Sequence, residues 1–211
     1  MNRIIWFAFF LSATPVFAAG TADAPIGCES DQTFYPLGYY WAATPPLVQN
    51  PIVLHQSAGE PNTGGGDSIS ATAAAAAVQR GFAEWGTTIC PGGNPNLLIQ
   101  QDEVLYGGGD RGDVWTDNGP VSTQNTVVWD SSEENPALSS STVAYTEVLF
   151  FTTTGFAVDG DLMFNSHDYA FRIDIDSGSI GCDASNANCY DLESVALHEA
   201  GHFIGLGHVE C

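Results

Sequence analysis

Residues 198–208 read His198-Glu199-Ala200-Gly201-His202-Phe203-Ile204-Gly205-Leu206-Gly207-His208, and the spacing inside that run decides how the chain is read. His198 and His202 are four apart, so on an α-helix their side chains share one face, one turn apart. Two imidazoles so placed can converge on one ion at roughly 2.0–2.1 Å each, the usual zinc–nitrogen distance. Glu199 is angled off that face, where a carboxylate can take a proton from a water at the metal instead of binding the metal itself. Gly205 lets the chain leave the helix through a left-handed residue, so that His208 returns as a third ligand. Three protein ligands leave a fourth position for water, the pattern of a catalytic zinc and not a structural one. The alternative is a helix that merely carries histidines. Three of the chain's five histidines fall inside this run, and its five fixed positions would co-occur by chance on the order of once in ten million windows. The zinc site is the stronger reading.

Outward from the run, Asp191 is a good N-cap for a helix that continues to Ile204, with Leu192, Val195, Ala196 and Phe203 facing a core. Gly201 would permit a close approach to a neighbouring element. Just upstream, Cys182 and Cys189 enclose a short polar loop and can bridge locally, pinning the segment before the helix. Cys28 and Cys90 form the remaining natural pair, leaving Cys211 over. Ser70–Trp85 reads as a second helix: Ser70 or Asp67 can cap it, alanines fill it, and Ala75, Val78, Phe82 and Trp85 recur at helical steps. Ile52–His55, Leu97–Ile99, Thr126–Trp129 and Val143–Phe151 read as strands, as do Phe156–Val158 and Asp161–Phe164, which a bend could join into one. Glu60–Asp67 and Gly107–Gly119 read as loops.

The N-terminus carries an export pattern. Asn2 and Arg3 form a short polar head, Ile4–Phe17 is apolar, and Val16-Phe17-Ala18 is a small-residue cleavage site. Residues 1–18 are therefore expected to be a signal peptide, with a secreted, extracellular product; a periplasmic destination is the alternative. A membrane anchor would want about 20 apolar residues, and Ser12 and Pro15 interrupt this stretch. Residues 19–37 form a short segment, and 38–211 the single domain, expected to be monomeric. Its charge is lopsided: 25 acidic residues against four arginines and no lysine, a formal net charge of −21. Such a field repels phosphate backbones and anionic lipid, which excludes nucleic-acid and membrane-surface partners. Bound calcium, a salty habitat or simple solubility would each account for it. Asp159, Asp161, Asn165, Asp168, Asp174 and Asp176 offer hard oxygens of the kind Ca²⁺ takes, although their spacing is not that of an EF-hand. Solvated loop carboxylates are the alternative.

The extended motif, with a glycine three residues after the second histidine and a third histidine three later, resembles that of the metzincin metallopeptidases. Within them the run from Asp191 to His208 looks most like the matrixin branch. The resemblance implies zinc bound by His198, His202 and His208, Glu199 as general base, and a protein or peptide substrate. It implies an α+β fold, a twisted mixed β-sheet packed on two helices with zinc in a cleft beneath its edge. It also implies an edge strand that pairs with substrate backbone by β-addition, for which Val143–Phe151 is the candidate. Matrixins hold structural calcium near the acidic stretch named above, and some cap the zinc with a thiolate, a part that Cys28 could play. They carry a methionine turn after the third histidine. Here the methionines are Met1 and Met163, so the C-terminal subdomain is expected to be missing from residues 38–211. The function implied is a secreted zinc endopeptidase. The alternative is a non-catalytic extracellular binding module stabilised by zinc or calcium.

Overall fold

In a computed structural model of the chain, the described residues are 2–10, 39, 41, 52–57, 59–87, 99–101, 125–130, 140–151, 155–175, 178–183 and 185–208. The Cys28–Cys90 pairing, the thiolate cap, Cys211, Asp176 and the Gly107–Gly119 loop lie outside them. Among the described residues the elements make an α+β arrangement of a mixed six-stranded sheet, a smaller three-stranded sheet and two helices.

The large sheet runs β1 (Asn2–Phe10), β5 (Thr142–Phe151), β6 (Ala157–Asn165), β4 (Asn125–Asp130), β2 (Ile52–Gln56), β3 (Ile99–Gln101) across its width. Strands β3, β2, β4 and β6 are mutually parallel, while β5 is antiparallel to β6 and β1 to β5. Buried along its whole length, β4 reads Asn-Thr-Val-Val-Trp-Asp with no alternation, as a central strand covered on both faces does. The two apolar runs expected between Phe156 and Phe164 are one strand. Its bend coincides with a register shift where Leu149 and Phe150 of β5 cross it, the signature of a bulge.

Val143–Phe151 is indeed a strand, but it is not an edge in this structure. Residues 2–10, the head of the expected signal, pair with it from Asn2↔Phe151 to Phe10↔Thr142. The physical reason is that an unpaired antiparallel edge offers a row of free N–H and C=O groups to any β-prone segment within reach. Ile4-Ile5-Trp6-Phe7 has that composition.

Helix α1 (Ala71–Thr87) starts where Ser70 Oγ accepts the Ala73 N–H at 3.2 Å, and buries Ala74, Ala75, Ala77, Val78, Gly81 and Phe82. Helix α2 (Leu192–Phe203) starts at Asp191, whose Oδ2 accepts the Ser194 N–H at 2.8 Å. Both helices cover the same sheet face: Ile52, Leu54, Val127, Leu162 and Phe164 share one core with Val78, Phe82, Ala196, Ala200 and Phe203. The helices touch through backbone. A methyl group built on Gly81 would lie 2.7 Å from the Leu197 nitrogen and 2.9 Å from the Glu193 carbonyl oxygen. Gly201 plays the packing role read from the sequence, since its Cα faces the Trp85 ring. Trp85 in turn donates from Nε1 to the Leu197 carbonyl at 2.8 Å.

Ahead of α2 lies the three-stranded sheet of β8 (Gly178–Gly181), β7 (Ala170–Ile175) and β9 (Cys189–Asp191), which the sequence reading does not anticipate. The Cys182–Cys189 disulfide closes it and delivers the chain to the α2 N-cap, as expected. Among the described residues no helix is long and apolar enough to cross a membrane.

Candidate metal centre

Helix α2 places His198 and His202 one turn apart, and the way the helix ends brings in the third histidine. Gly205 adopts φ +101°, the left-handed conformation expected of it. Around it the Gly205 N–H donates to the His202 carbonyl at 2.9 Å and the Leu206 N–H to the Gly201 carbonyl at 2.9 Å. Those two bonds define a Schellman C-cap, which satisfies the last carbonyls of the helix and turns the chain back on itself. His208 then meets the other two. The three Nε2 atoms lie 3.1 Å (His198 to His202), 3.1 Å (His198 to His208) and 2.9 Å (His202 to His208) apart. Nitrogens held at 2.0–2.1 Å by a tetrahedral ion would be roughly 3.3 Å apart, so the triangle has the size that zinc requires. Among the described residues it is the one group of side chains with metal-ligand spacing.

The chemistry of the donors fits a cation as well. His202 Nδ1 lies 2.7 Å from the Leu206 carbonyl oxygen, which places the ring proton on Nδ1 and leaves the Nε2 lone pair facing the centre. Burial, reinforced by the neighbouring imidazoles, pushes His198 down to about 3. Burial and His208 push His202 down to about 4 against the opposing bond to Leu206, and burial lowers His208. All three rings are therefore neutral at pH 7, the protonation state a metal ligand needs. His202 is buried, His198 half-buried and His208 exposed, so the triangle opens on the His208 side.

Glu199 is fully buried and points at the sheet. Thr146 of β5 donates its hydroxyl to Glu199 Oε2 at 2.6 Å and lies 3.2 Å from the Glu199 main-chain oxygen. The other carboxylate oxygen, Oε1, is buried without a hydrogen-bond partner. Burial raises Glu199 to about 8, partly offset by the Thr146 bond. A positive charge held by the three histidines would favour the ionised form.

The end of α2 is tied down by residues far upstream. The Tyr39 hydroxyl donates to the His202 carbonyl, and Trp41 Nε1 donates to the Phe203 carbonyl at 2.7 Å. Trp41 also stacks on Phe203 with ring centroids 4.7 Å apart, and Tyr39 packs on Phe150 of β5. Burial, with Glu199 nearby, raises the Tyr39 phenol. Sequence reasoning misses Thr146, Tyr39 and Trp41. For Thr146 a signal exists: Ala144, Thr146, Val148 and Phe150 form one phase of a strand, and only Thr146 breaks its apolar run. For Tyr39 and Trp41 no local pattern carries it.

The acidic residues considered for calcium are spread over three places. Asp161 accepts the Thr126 N–H and hydroxyl at 2.8 and 2.6 Å. Asn165 and Asp168 bond to each other at 3.0 Å in the turn after β6, and Asp174 pairs with Arg172 at 3.1 Å and with Ser179. Asp159 and Asp161 share the sheet face away from α2 with Glu147, which pairs across β5–β6 with Asp161. Burial and the Asp161 charge raise Asp159 to about 9 and Glu147 to about 7.

No family model, curated protein or solved structure matches the chain.

Proposed function

We propose that this chain is a secreted zinc endopeptidase of metzincin type, most like the matrixins, acting on protein or peptide substrates. One observation carries the reading: three imidazole nitrogens converge on a zinc-sized triangle, with His208 exposed, on the same helix end that carries the buried Glu199 carboxylate. His198, His202 and His208 would hold the metal. Bound zinc lowers the pKa of water to about 7 and polarises a carbonyl. Glu199 takes the proton of the attacking water at Oε1 and delivers it to the leaving amine nitrogen, so the carboxylate is restored at the end of the cycle. Removal of residues 1–18 on export would free the β5 edge, which then receives the substrate backbone as an added strand. The sheet supports this assignment: β5 is the antiparallel strand of an otherwise parallel set, and it lies directly over Glu199. Structural calcium is not part of this proposal, because the acidic residues are spread over three places and burial raises the Asp159 carboxyl.

The complete burial of Glu199 favours one second reading, a binding module in which zinc is only a staple. A diverse peptide library incubated with the zinc-loaded chain separates the two. The endopeptidase reading expects internal peptide-bond cleavage that a chelator abolishes and zinc restores. Stoichiometric zinc without any cleavage would establish the module, and cleavage indifferent to the chelator would remove zinc hydrolysis altogether.

A further inference from the structure

We infer that Thr146 is a positioning residue that selects which oxygen of Glu199 works as the base; the inference rests on the hydrolase reading above. A glutamate has three rotatable bonds, and on α2 this one stands between two metal-ligand positions. Among the described residues, the one hydrogen bond to its side chain comes from Thr146, at 2.6 Å to Oε2, while Oε1 is buried and unpartnered. Thr146 is well suited to that task. Its side chain is fully buried and β-branched, so χ1 is stiff, and its backbone is paired with Leu162 of β6 and Phe7 of β1. The hydroxyl has one proton, and the shorter contact assigns it to Oε2 and not to the Glu199 main-chain oxygen at 3.2 Å. Oε2 is thereby engaged, and Oε1 is left as the oxygen with a free lone pair for the proton of water.

A consequence is that the base is set by the sheet and not by its own helix. Strand β5 would both receive substrate backbone and hold the carboxylate, so a peptide that tightens β5 also tightens the base. A valine at position 146 keeps the shape and loses the hydroxyl, freeing the carboxylate to rotate. The expected loss is in kcat, on the order of 10- to 100-fold, the size of effect that an ångström of misplacement produces.

The experiment compares the zinc-loaded full chain with Thr146→Val, Thr146→Ser, Thr146→Ala and Glu199→Gln on one fluorogenic peptide. Zinc affinity is measured by chelator competition. The Glu199 carboxyl band of the metal-free protein is isolated by infrared difference against Glu199→Gln. The inference expects Thr146→Val and Thr146→Ala to lose kcat with KM and zinc affinity unchanged, Thr146→Ser to regain most of it, and the band to move in Val and return in Ser. Wild-type kcat in both Val and Ala while Glu199→Gln is inactive would overturn the role of Thr146 and leave the hydrolase reading standing. So would equal impairment in Ser and Val accompanied by loss of zinc, since that is a packing defect. An active Glu199→Gln would remove the base itself, and the hydrolase reading with it.

Discussion

Gly205 does two jobs that no other residue could do together. Its φ of +101° favours glycine, and a methyl group there would lie 2.9 Å from the Tyr39 carbonyl oxygen. Gly205→Ala should therefore disturb the turn that returns His208, weakening zinc binding by roughly tenfold or more, given a left-handed penalty of about 1–2 kcal/mol. Chelator competition measures it, and unchanged affinity would show that the cap does not position His208. Asp159 makes a prediction of a different kind. Burial and the Asp161 charge raise its pKa from the ordinary carboxylate range to about 9. The folded state thus holds a proton that the unfolded chain releases above about pH 4. The stability linked to that proton is fully present below pH ~4 and is lost as pH rises toward 9. Asp159→Asn keeps a neutral group at every pH, so it should melt with wild type at pH 4 and above it at pH 8, by roughly 2–8 °C. Parallel melting curves across that range would contradict the account. At this scale the three-histidine cluster is legible in the sequence because helical spacing and one left-handed glycine are local rules. Thr146 stands 53 residues from Glu199, and Tyr39 stands 163 from His202, so only the fold brings them together.

The contact between α1 and α2 depends on a missing side chain. With the Leu197 nitrogen 2.7 Å from where its methyl would be, Gly81→Ala must push the helices apart. Overpacking of this sort costs about 1–3 kcal/mol, and thermal unfolding should reveal it as a lower midpoint. An unchanged midpoint would mean that the helices slide freely. Since α2 carries the histidines, zinc affinity should fall in the same variant. Both helices are legible in advance, because alanine content, caps and apolar steps of three and four are helix-specific signals: the expected Ser70–Trp85 corresponds to Ala71–Thr87. Strands β2, β4, β5 and β6 are legible from their β-branched and aromatic runs. The small sheet is not. Ala170–Ile175 reads Ala-Phe-Arg-Ile-Asp-Ile, whose alternation is that of a strand, but its carboxylates draw the eye toward a cation site.

Over the whole molecule, strand order is what the sequence cannot show, because it depends on pairings between separate segments, such as Ile52 with Ile99, Leu54 with Asn125 and Asn2 with Phe151. Asn2–Phe10 beside β5 is the extreme case. An export pattern and a β-strand draw on the same apolar residues, and pairing is decided by which edge is open. Without residues 1–18, the β5 amides that face β1 should exchange faster with solvent deuterium, while those bonded to β6 stay protected. Uniform exchange along β5 in the shortened chain would show that β1 does not cover that edge. The net charge of −21 adds self-repulsion throughout. The α+β class itself follows from the order of helix and strand patterns, whereas the antiparallel placement of β5 over Glu199 emerges only from the fold.

The most direct test of the central claim is peptide turnover by the zinc-loaded chain and its Glu199→Gln variant at matched zinc occupancy. A zinc hydrolase with Glu199 as base predicts one zinc bound in each and cleavage by the first alone, a difference on the order of 1,000-fold. Equal turnover by the two, or turnover by neither, would contradict it.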